Sequence, residues 1–215
     1  MNKIVLAVFS LSILIAGIIG ILRFKVIRDD YKPFIYLVWF ACINEILCVP
    51  LWLREQSNII ITNIYSLFEG LVILLFFTTR KIIRKRTFII IGTVFFIGWL
   101  VETFVFKISD DPGIYYGIFY SLIIVLISII CINQLLLTTK SKLLKNAMFL
   151  ICMAFIIYFT LCILINAFWL YGLTKNQKFL IAIYRILQYT NLFTNLIFAL
   201  ASLWIPRKQP SILLY

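Results

Sequence analysis

Seven apolar stretches, each long enough to cross a bilayer, constrain the fold of this chain more than any other feature. They cover approximately residues 3–22, 34–53, 59–79, 87–106, 113–138, 146–171 and 179–205. A helix needs about 20 mostly apolar residues to cross the hydrocarbon core. Each stretch is therefore predicted to be a transmembrane helix, and we number them as the first to the seventh span. The sequence predicts an all-α membrane protein, with residues 1–215 forming a single transmembrane domain.

The composition excludes a soluble protein of this size. Hydrophobic residues make up 64% of the chain and charged residues only 13%, whereas soluble domains are about 45–50% apolar. The net charge of +12 could indicate nucleic-acid binding. We reject that interpretation because the basic residues alternate with the spans, as is typical of membrane proteins.

The sequence has few side chains suited to metal binding or to nucleophilic catalysis. The chain has no histidine, which excludes imidazole metal sites and histidine-activated nucleophiles. The five cysteines lie inside apolar stretches without CxxC spacing, so they are predicted to be small buried side chains rather than metal ligands. We predict no metal site and no cofactor.

The basic residues of the loops predict the orientation of the chain. The larger group lies in alternate loops and comprises Arg23, Lys25, Arg28, Lys32, Arg80, Lys81, Arg84, Lys85, Arg86, Lys140, Lys142, Lys145, Arg207 and Lys208. The opposite side holds only Lys3, Arg54, Lys107, Lys175 and Lys178. Because positive loops stay in the cytoplasm, the N-terminus is predicted outside and the C-terminus inside. The predicted location is the cell inner (plasma) membrane, crossed seven times.

The predicted loops are short, and none could form a soluble domain. The turn Asp110-Asp111-Pro112-Gly113 is typical of a helix start, with proline near the first turn and acids at its positive end. Any function is therefore expected within the bilayer or through another membrane protein.

A short pattern in the third span recurs in the seventh. Tyr65 and Glu69 are spaced like Tyr184 and Gln188, and an isoleucine precedes each tyrosine. The first and fifth spans share one orientation, so the match fits a parallel 3+1+3 pseudo-repeat with the fourth span as a linker. Proteins built in this way place their site between the halves, near the midplane. A chance match between two apolar helices is the alternative.

Polar and charged side chains of four spans are predicted to share one layer in the outer half of the membrane. At 1.5 Å per residue, Glu69 and Gln188 lie about 15 Å below the outer ends of their spans, Glu45 about 12 Å and Arg185 about 10 Å. Such residues are costly in hydrocarbon and usually face a cavity. The predicted ligand-binding residues are Asn44, Glu45, Tyr65, Glu69, Asn166, Tyr184, Arg185, Gln188 and Asn191.

The alternative interpretation is a buried polar network that joins the helices. Tyr184, Gln188, Asn191 and Asn195 share one helical face, and polar side chains stabilise helix contacts in bundles by roughly 0.5–2 kcal/mol each. For the asparagines we favour this structural role. For the glutamates and the arginine we favour a site.

The charges of the predicted pocket do not balance. Arg185 is expected to form a salt bridge with Glu69 or Glu45, because an unpaired guanidinium at that depth is unfavourable. The second carboxyl must then be protonated or neutralised by a cation. Glu102, near the outer end of the fourth span, is expected to be interfacial and to reach water.

Several of these residues carry a resemblance to a known family. Asn44-Glu45, Asn63-Ile64-Tyr65 with Glu69, Tyr158, and Asn191-x-x-x-Asn195 followed by Trp204 resemble an uncharacterised seven-span inner-membrane family of Bacteroidota. That resemblance implies a fold but no activity. The 3+1+3 layout is also remotely similar to SWEET and PQ-loop transporters and to rhodopsins. The seventh span contains no lysine within its apolar stretch, so a retinal Schiff base is excluded.

Three functions fit these features. The favoured one is binding or transport of a small polar or cationic solute in an outward-facing pocket. The second is a seven-helix sensory receptor that signals through a separate membrane partner. The third is an intramembrane lipid-modifying hydrolase with Glu45 and Glu69 as an acid–base pair, although a non-enzymatic function is favoured. The predicted partners are the lipid bilayer and the solute, with a membrane protein partner as a further alternative; nucleic acid is not a predicted partner.

Overall fold

A computed structural model describes residues 3–105, 113–138, 143–171 and 177–208, and it is helical almost throughout. Seven helical segments are long and apolar enough to cross a membrane, which confirms the predicted seven-span all-α architecture. Within the described ranges there is no strand, only an isolated bridge between Ile27 and Arg207. The helices are Lys3–Leu11, Ile13–Arg23, Lys32–Leu53, Ile59–Thr79, Lys85–Leu100, Ile114–Thr138, Ala147–Leu170 and Gln177–Trp204.

The first span consists of two helices that meet at Ser12. The Ser12 hydroxyl donates to the carbonyl of Phe9 at 2.6 Å, and such back-bonding competes with the regular helical ladder. Side chains of the second span donate to carbonyls after the break: Cys42 Sγ lies 3.6 Å from Ile13 O and Trp39 Nε1 lies 3.4 Å from Gly17 O. Side chains of the second span therefore donate to backbone carbonyls of the first span near the break.

The second and third spans end in the same motif. Glu55 and Lys81 have positive φ angles of 58° and 60°, the left-handed conformation that commonly terminates helices. The amide of the next residue returns to a carbonyl five positions earlier, Gln56 N to Leu51 O and Ile82 N to Phe77 O, both at 2.9 Å. These closures allow short turns into the next span.

Six spans form a closed ring and the fourth lies outside it. Contacts join the first span to the second and seventh, the second to the third, the third to the fifth, and the fifth through the sixth to the seventh. The fourth span, completed by a π-helical turn at Val101–Val105, packs mainly on the third and buries few side chains. This order is compatible with a 3+1+3 repeat, which stays a prediction, as does the orientation.

Five phenylalanines fill the middle of the ring, and we call them the phenylalanine cluster: Phe34, Phe76, Phe77, Phe155 and Phe198. Ring centroids lie 5.5 Å apart for Phe34 and Phe198, and 5.7 Å for Phe155 and Phe198. Four of the five are fully buried. Aromatic pairs at this spacing stabilise a core beyond the area they bury, so the cluster forms a packed layer across the bundle.

Beyond the phenylalanine cluster, one end of the bundle is tied together by charged side chains. Asp30 accepts hydrogen bonds from both Arg28 and Arg80. The Arg80 guanidinium also lies 4.4 Å from the centroid of the Tyr31 ring. Arg23 donates to the carbonyls of Ser202, Leu203 and Ile205 at the end of the seventh span. We call this group the closed end.

Candidate functional site

A cavity of about 630 Å³ lies between the first, second, third, sixth and seventh spans. It occupies the half of the bundle where the first, third and seventh spans begin, opposite the closed end. Phe155 and Phe198 of the phenylalanine cluster line it. Its size falls within the 300–1,000 Å³ typical of small-molecule sites.

Eight of the nine predicted site residues line this cavity. They are Asn44, Glu45, Tyr65, Glu69, Tyr184, Arg185, Gln188 and Asn191. The regular helical spacing brings Tyr65 and Glu69 to one face of the third span, and Tyr184, Gln188 and Asn191 to one face of the seventh. Their function in binding stays a prediction, but the structure brings them to one place.

Glu69 lies at the wall of the cavity with only 8% of its surface exposed. Tyr65 donates to Oε1 at 2.8 Å from one turn earlier in the same helix. Tyr120 of the fifth span donates to Oε2 at 3.0 Å. Each carboxylate oxygen therefore has one tyrosine donor, which leaves acceptor capacity on both oxygens.

Glu45 of the second span lines the same cavity, beside the first span. Ser10 faces this carboxyl, and its hydroxyl donates to Oε1 of Gln188 at 3.1 Å. One serine of the first span therefore touches polar side chains of both the second and the seventh spans. The hydroxyl has a single proton, so Glu45 and Gln188 cannot both accept it.

The helix break of the first span contributes to the same wall. Asn195 Nδ2 donates to Ser12 Oγ at 3.0 Å and lies 3.5 Å from the carbonyl of Ser10. Asn195 is buried and lines the cavity, and it satisfies backbone that the break leaves free. Asn44 accepts a weak bond from Cys48 Sγ at 3.5 Å. For these two asparagines a structural role is evident.

The predicted salt bridge of Arg185 is wrong. Arg185 lines the cavity but is exposed, and within the described residues it is not in salt-bridge distance of Glu45 or Glu69. Exposure gives the guanidinium access to water or headgroups, so it needs no buried partner. The two glutamates therefore lack the counter-ion that the sequence suggested.

Asn166 does not line the cavity, in contrast to the prediction. A Cβ added at Gly117 would lie 2.7 Å from Asn166 Nδ2, so Asn166 packs against the backbone of the fifth span where only glycine fits. Asn166 lies seven residues, about two helical turns, beyond Phe159, the nearest cavity-lining residue of the sixth span, so it does not share the layer of the cavity. Its role is helix packing.

Glu102 is buried rather than interfacial. Its exposed fraction is 4%, and its two oxygens accept from the amides of Tyr115 at 2.9 Å and Tyr116 at 2.6 Å. A carboxylate at the positive end of a helix is favourable. Glu102 therefore caps the fifth span, and the π-helical turn places it there. The neighbouring residues 110–112 of the predicted turn lie outside the described residues.

Two hydrogen-bond partners of cavity residues escaped the sequence analysis: Tyr120, which donates to Glu69, and Ser10, which donates to Gln188. Tyr120 and Ser10 were missed because a hydroxyl in an apolar helix is common and gives no sign of its direction. Both residues lie about two turns into their spans, the first and the fifth, which correspond to each other in the predicted repeat. A comparison of these two spans at matched depth could have found both. The described part of the chain holds no group of three or more Cys, Asp or Glu side chains suited to a metal ion.

No protein-family model matches the chain, and no curated protein and no solved structure is significantly similar to it. The resemblance to the Bacteroidota family therefore stays a prediction, and the function is argued from the cavity itself.

Proposed function

We propose that this multi-pass membrane protein is a carrier for a small polar or cationic solute, which binds in the cavity between the first, second, third, sixth and seventh spans. The observation that carries this proposal is that Glu45 and Glu69 line one cavity and that neither belongs to a salt bridge of the described chain. Carboxylates at bilayer depth without a protein counter-ion are costly. A bound solute would offset that cost.

The proposal places the cavity on the outer side of an inner membrane. The distribution of basic loop residues supports it, because the closed end carries Arg23, Arg28 and Arg80 while the cavity lies at the opposite end. In this orientation the solute enters from outside. The phenylalanine cluster and the closed end then separate it from the cytoplasm.

A two-fold repeat would explain the pairing of the polar helices. Glu69 of the third span accepts from Tyr120 of the fifth, and Gln188 of the seventh accepts from Ser10 of the first. In a 3+1+3 duplication the third span corresponds to the seventh and the fifth to the first. The two hydrogen bonds then occupy equivalent positions, which supports duplication and a site at the interface of the halves.

A variant that fills the cavity tests the proposal without knowledge of the solute. Ala41 lines the cavity, and Ala41→Trp should abolish the stabilisation that any solute gives in a thermal-shift screen of amino acids, sugars, amines and organic acids. Val94→Trp is the matched control, because Val94 lies on the lipid-exposed surface of the fourth span. Solutes that stabilise wild type and Ala41→Trp equally would contradict the proposal.

Flux measurements separate a carrier from a receptor. A solute identified in the screen should accumulate in proteoliposomes that contain the protein and exchange across the bilayer, and Ala41→Trp should abolish the exchange. Binding without exchange would instead favour the receptor function that the sequence left open.

The orientation has its own test. Cysteines introduced at Ser57 and Arg84 of a cysteine-free variant lie in exposed turns at opposite ends of the bundle. A membrane-impermeant maleimide added to spheroplasts should label position 57 and leave position 84 unlabelled until the membrane is permeabilised. The reverse pattern would place the cavity towards the cytoplasm.

A further inference from the structure

We infer that the solute is an organic cation, with an ammonium group held by Glu45 and Glu69 and an apolar body against the aromatic wall of the cavity. The inference rests on the proposed function and adds the chemical class of the ligand. Three properties of the cavity carry it: its ionisable side chains, its size relative to its oxygen ligands, and the residues of its floor.

The ionisable side chains within the cavity, its tyrosines and cysteine aside, are carboxyls. Glu69 is buried and Glu45 is half-buried, whereas Arg185, the arginine among the lining residues, is exposed. Water screens an exposed guanidinium far more than buried carboxylates. A ligand that carries a positive charge to the two glutamates therefore gains the largest electrostatic stabilisation.

A bare metal ion does not fit this site. Mg²⁺ and Ca²⁺ are held by six or more oxygen ligands close around the ion, and the described residues contain no cluster of three Cys, Asp or Glu side chains that could hold one. Each oxygen of the Glu69 carboxylate already accepts one hydrogen bond, from Tyr65 or from Tyr120. The cavity volume of about 630 Å³ also far exceeds the space of an ion or of one water molecule, which occupies about 30 Å³.

Aromatic rings cover much of the remaining wall. Tyr65 and Tyr158 line the cavity near Glu69, and Phe155, Phe159 and Phe198 line its floor. Aromatic faces attract ammonium groups by about 0.5–2 kcal/mol per contact, with the larger values where water is excluded. The same rings bind an apolar body by hydrophobic burial. A small organic ammonium satisfies both parts of the wall, whereas an inorganic cation has no apolar body for the aromatic rings and a neutral sugar brings no charge to the carboxylates.

The first experiment measures affinities of purified full-length protein in nanodiscs for matched probes at constant ionic strength. Phenethylammonium and tetramethylammonium should bind, whereas 2-phenylethanol, which has nearly the same shape without the charge, should bind at least about tenfold more weakly. The affinities of phenylalanine and of sodium chloride are measured as well, under the same conditions. Tighter binding of 2-phenylethanol or of phenylalanine than of phenethylammonium would overturn the inference, as would the absence of binding by both cations.

The second experiment assigns the charge to the glutamates. Glu69→Gln and Glu45→Gln should each weaken phenethylammonium binding at least about tenfold, while Glu55→Gln, an exposed glutamate outside the cavity, should leave it unchanged. Tyr158→Phe should keep the affinity within about twofold and Tyr158→Leu should reduce it several-fold. If one glutamine variant fails to fold, the variant of the other glutamate and the two Tyr158 variants still test the inference.

The outcomes separate this inference from the proposed function. A neutral or anionic solute whose effect disappears in Ala41→Trp but persists in Glu45→Gln and Glu69→Gln would overturn the organic cation and leave the binding cavity intact. If Ala41→Trp changes the response to no solute at all, the cavity is not a binding site and both proposals fall.

Discussion

Charged side chains lie at both ends of the bundle. Those of the closed end pair with one another, whereas within the described residues no salt bridge involves the charged side chains that line the cavity. Asp30 is held between Arg28 and Arg80, and Tyr31 packs beneath the Arg80 guanidinium. At the cavity, Glu69 contacts only tyrosine hydroxyls, and Glu45 contacts a serine. The two ends are separated by the phenylalanine cluster, which touches the cavity through Phe198 and the closed end through Phe76 and Tyr31.

This difference separates charges that hold the fold from charges that are free to bind. A paired charge is already satisfied, and removing its partner leaves the other ion desolvated. A carboxylate bonded only by neutral hydroxyls keeps its charge available to a ligand. Substitutions that remove charge should therefore damage the fold at the closed end and leave it nearly intact at the cavity.

The largest effect is expected for Asp30→Asn at the closed end. The substitution removes the counter-ion of both Arg28 and Arg80, and the Arg80 side chain is only 18% exposed. Loss of one partner of a partly buried pair should lower the free energy of unfolding by about 2–3 kcal/mol. Thermal unfolding of the purified protein measures this. Asp29→Asn is the control, because Asp29 pairs with Lys32 and Lys208 at the exposed surface and should matter much less.

A smaller loss is expected for Arg23→Ala, which removes the side chain that binds the last carbonyls of the seventh span. Arg23 Nη2 lies 2.9 Å from Ile205 O, and Nη1 lies 2.5 Å from Ser202 O. Without it these carbonyls lack a donor at the helix end, which should cost about 1–2 kcal/mol. Lys25→Ala, one turn along the same loop and exposed, controls for the lost charge. Equal melting temperatures for the two variants would contradict this role.

At the cavity, Glu69→Gln should change the free energy of unfolding by less than about 1 kcal/mol. Glutamine keeps an oxygen that accepts from Tyr65, and its amide can donate to the Tyr120 hydroxyl, which lies 3.0 Å from the carboxylate. Glu69→Leu leaves both tyrosine hydroxyls without that partner and should cost more. Thermal unfolding of the two variants in the same detergent tests this. A loss for Glu69→Gln as large as that of Asp30→Asn would mean that Glu69 serves the fold.

How far the sequence predicts these two regions depends on the range of the interactions. The spans follow from the local density of apolar residues, and the shared face of Tyr184, Gln188 and Asn191 follows from helical periodicity. Both kinds of information are local, and the structure agrees with them. The polar layer was predicted from depth alone, and eight of the nine residues assigned to it line one cavity.

Interactions between spans could not be predicted in the same way. Depth says nothing about rotation, so Arg185 was paired with glutamates that it does not reach. For Asn166 the depth itself was wrong, because this residue lies about two turns beyond Phe159 and packs against Gly117. The partners Tyr120 and Ser10 lie on helices distant in sequence. Glu102 was misplaced because its capping role depends on the start of the next span. Pairings of this kind need the packed structure.

The smallest effect is expected for the exposed pair of Lys3 and Glu55, at the same end of the bundle as the cavity. Lys3 Nζ lies 2.6 Å from Glu55 Oε1, yet both side chains are more than half exposed. The hydrogen bond from Lys3 holds the pKa of Glu55 below its ordinary value. A lowered pKa means that the pair contributes stability at neutral pH, and that this contribution fades as the pH falls below about 4.3. Solvent and salt screen such pairs strongly.

Glu55→Gln should therefore shift the melting temperature at neutral pH by no more than about 1 °C, and 0.5 M salt should remove the difference. The difference between the variant and the wild type should shrink as the pH falls through the lowered pKa of Glu55, because a protonated carboxyl no longer pairs with Lys3. If Glu55→Gln instead destabilises the protein as much as Asp30→Asn, pairing alone identifies the charges that hold the fold, and the degree of burial would have to be discarded as the distinguishing property. Agreement with the expected order, from Asp30 through Glu69 to Glu55, would show that only a buried and paired charge carries stability in this bundle.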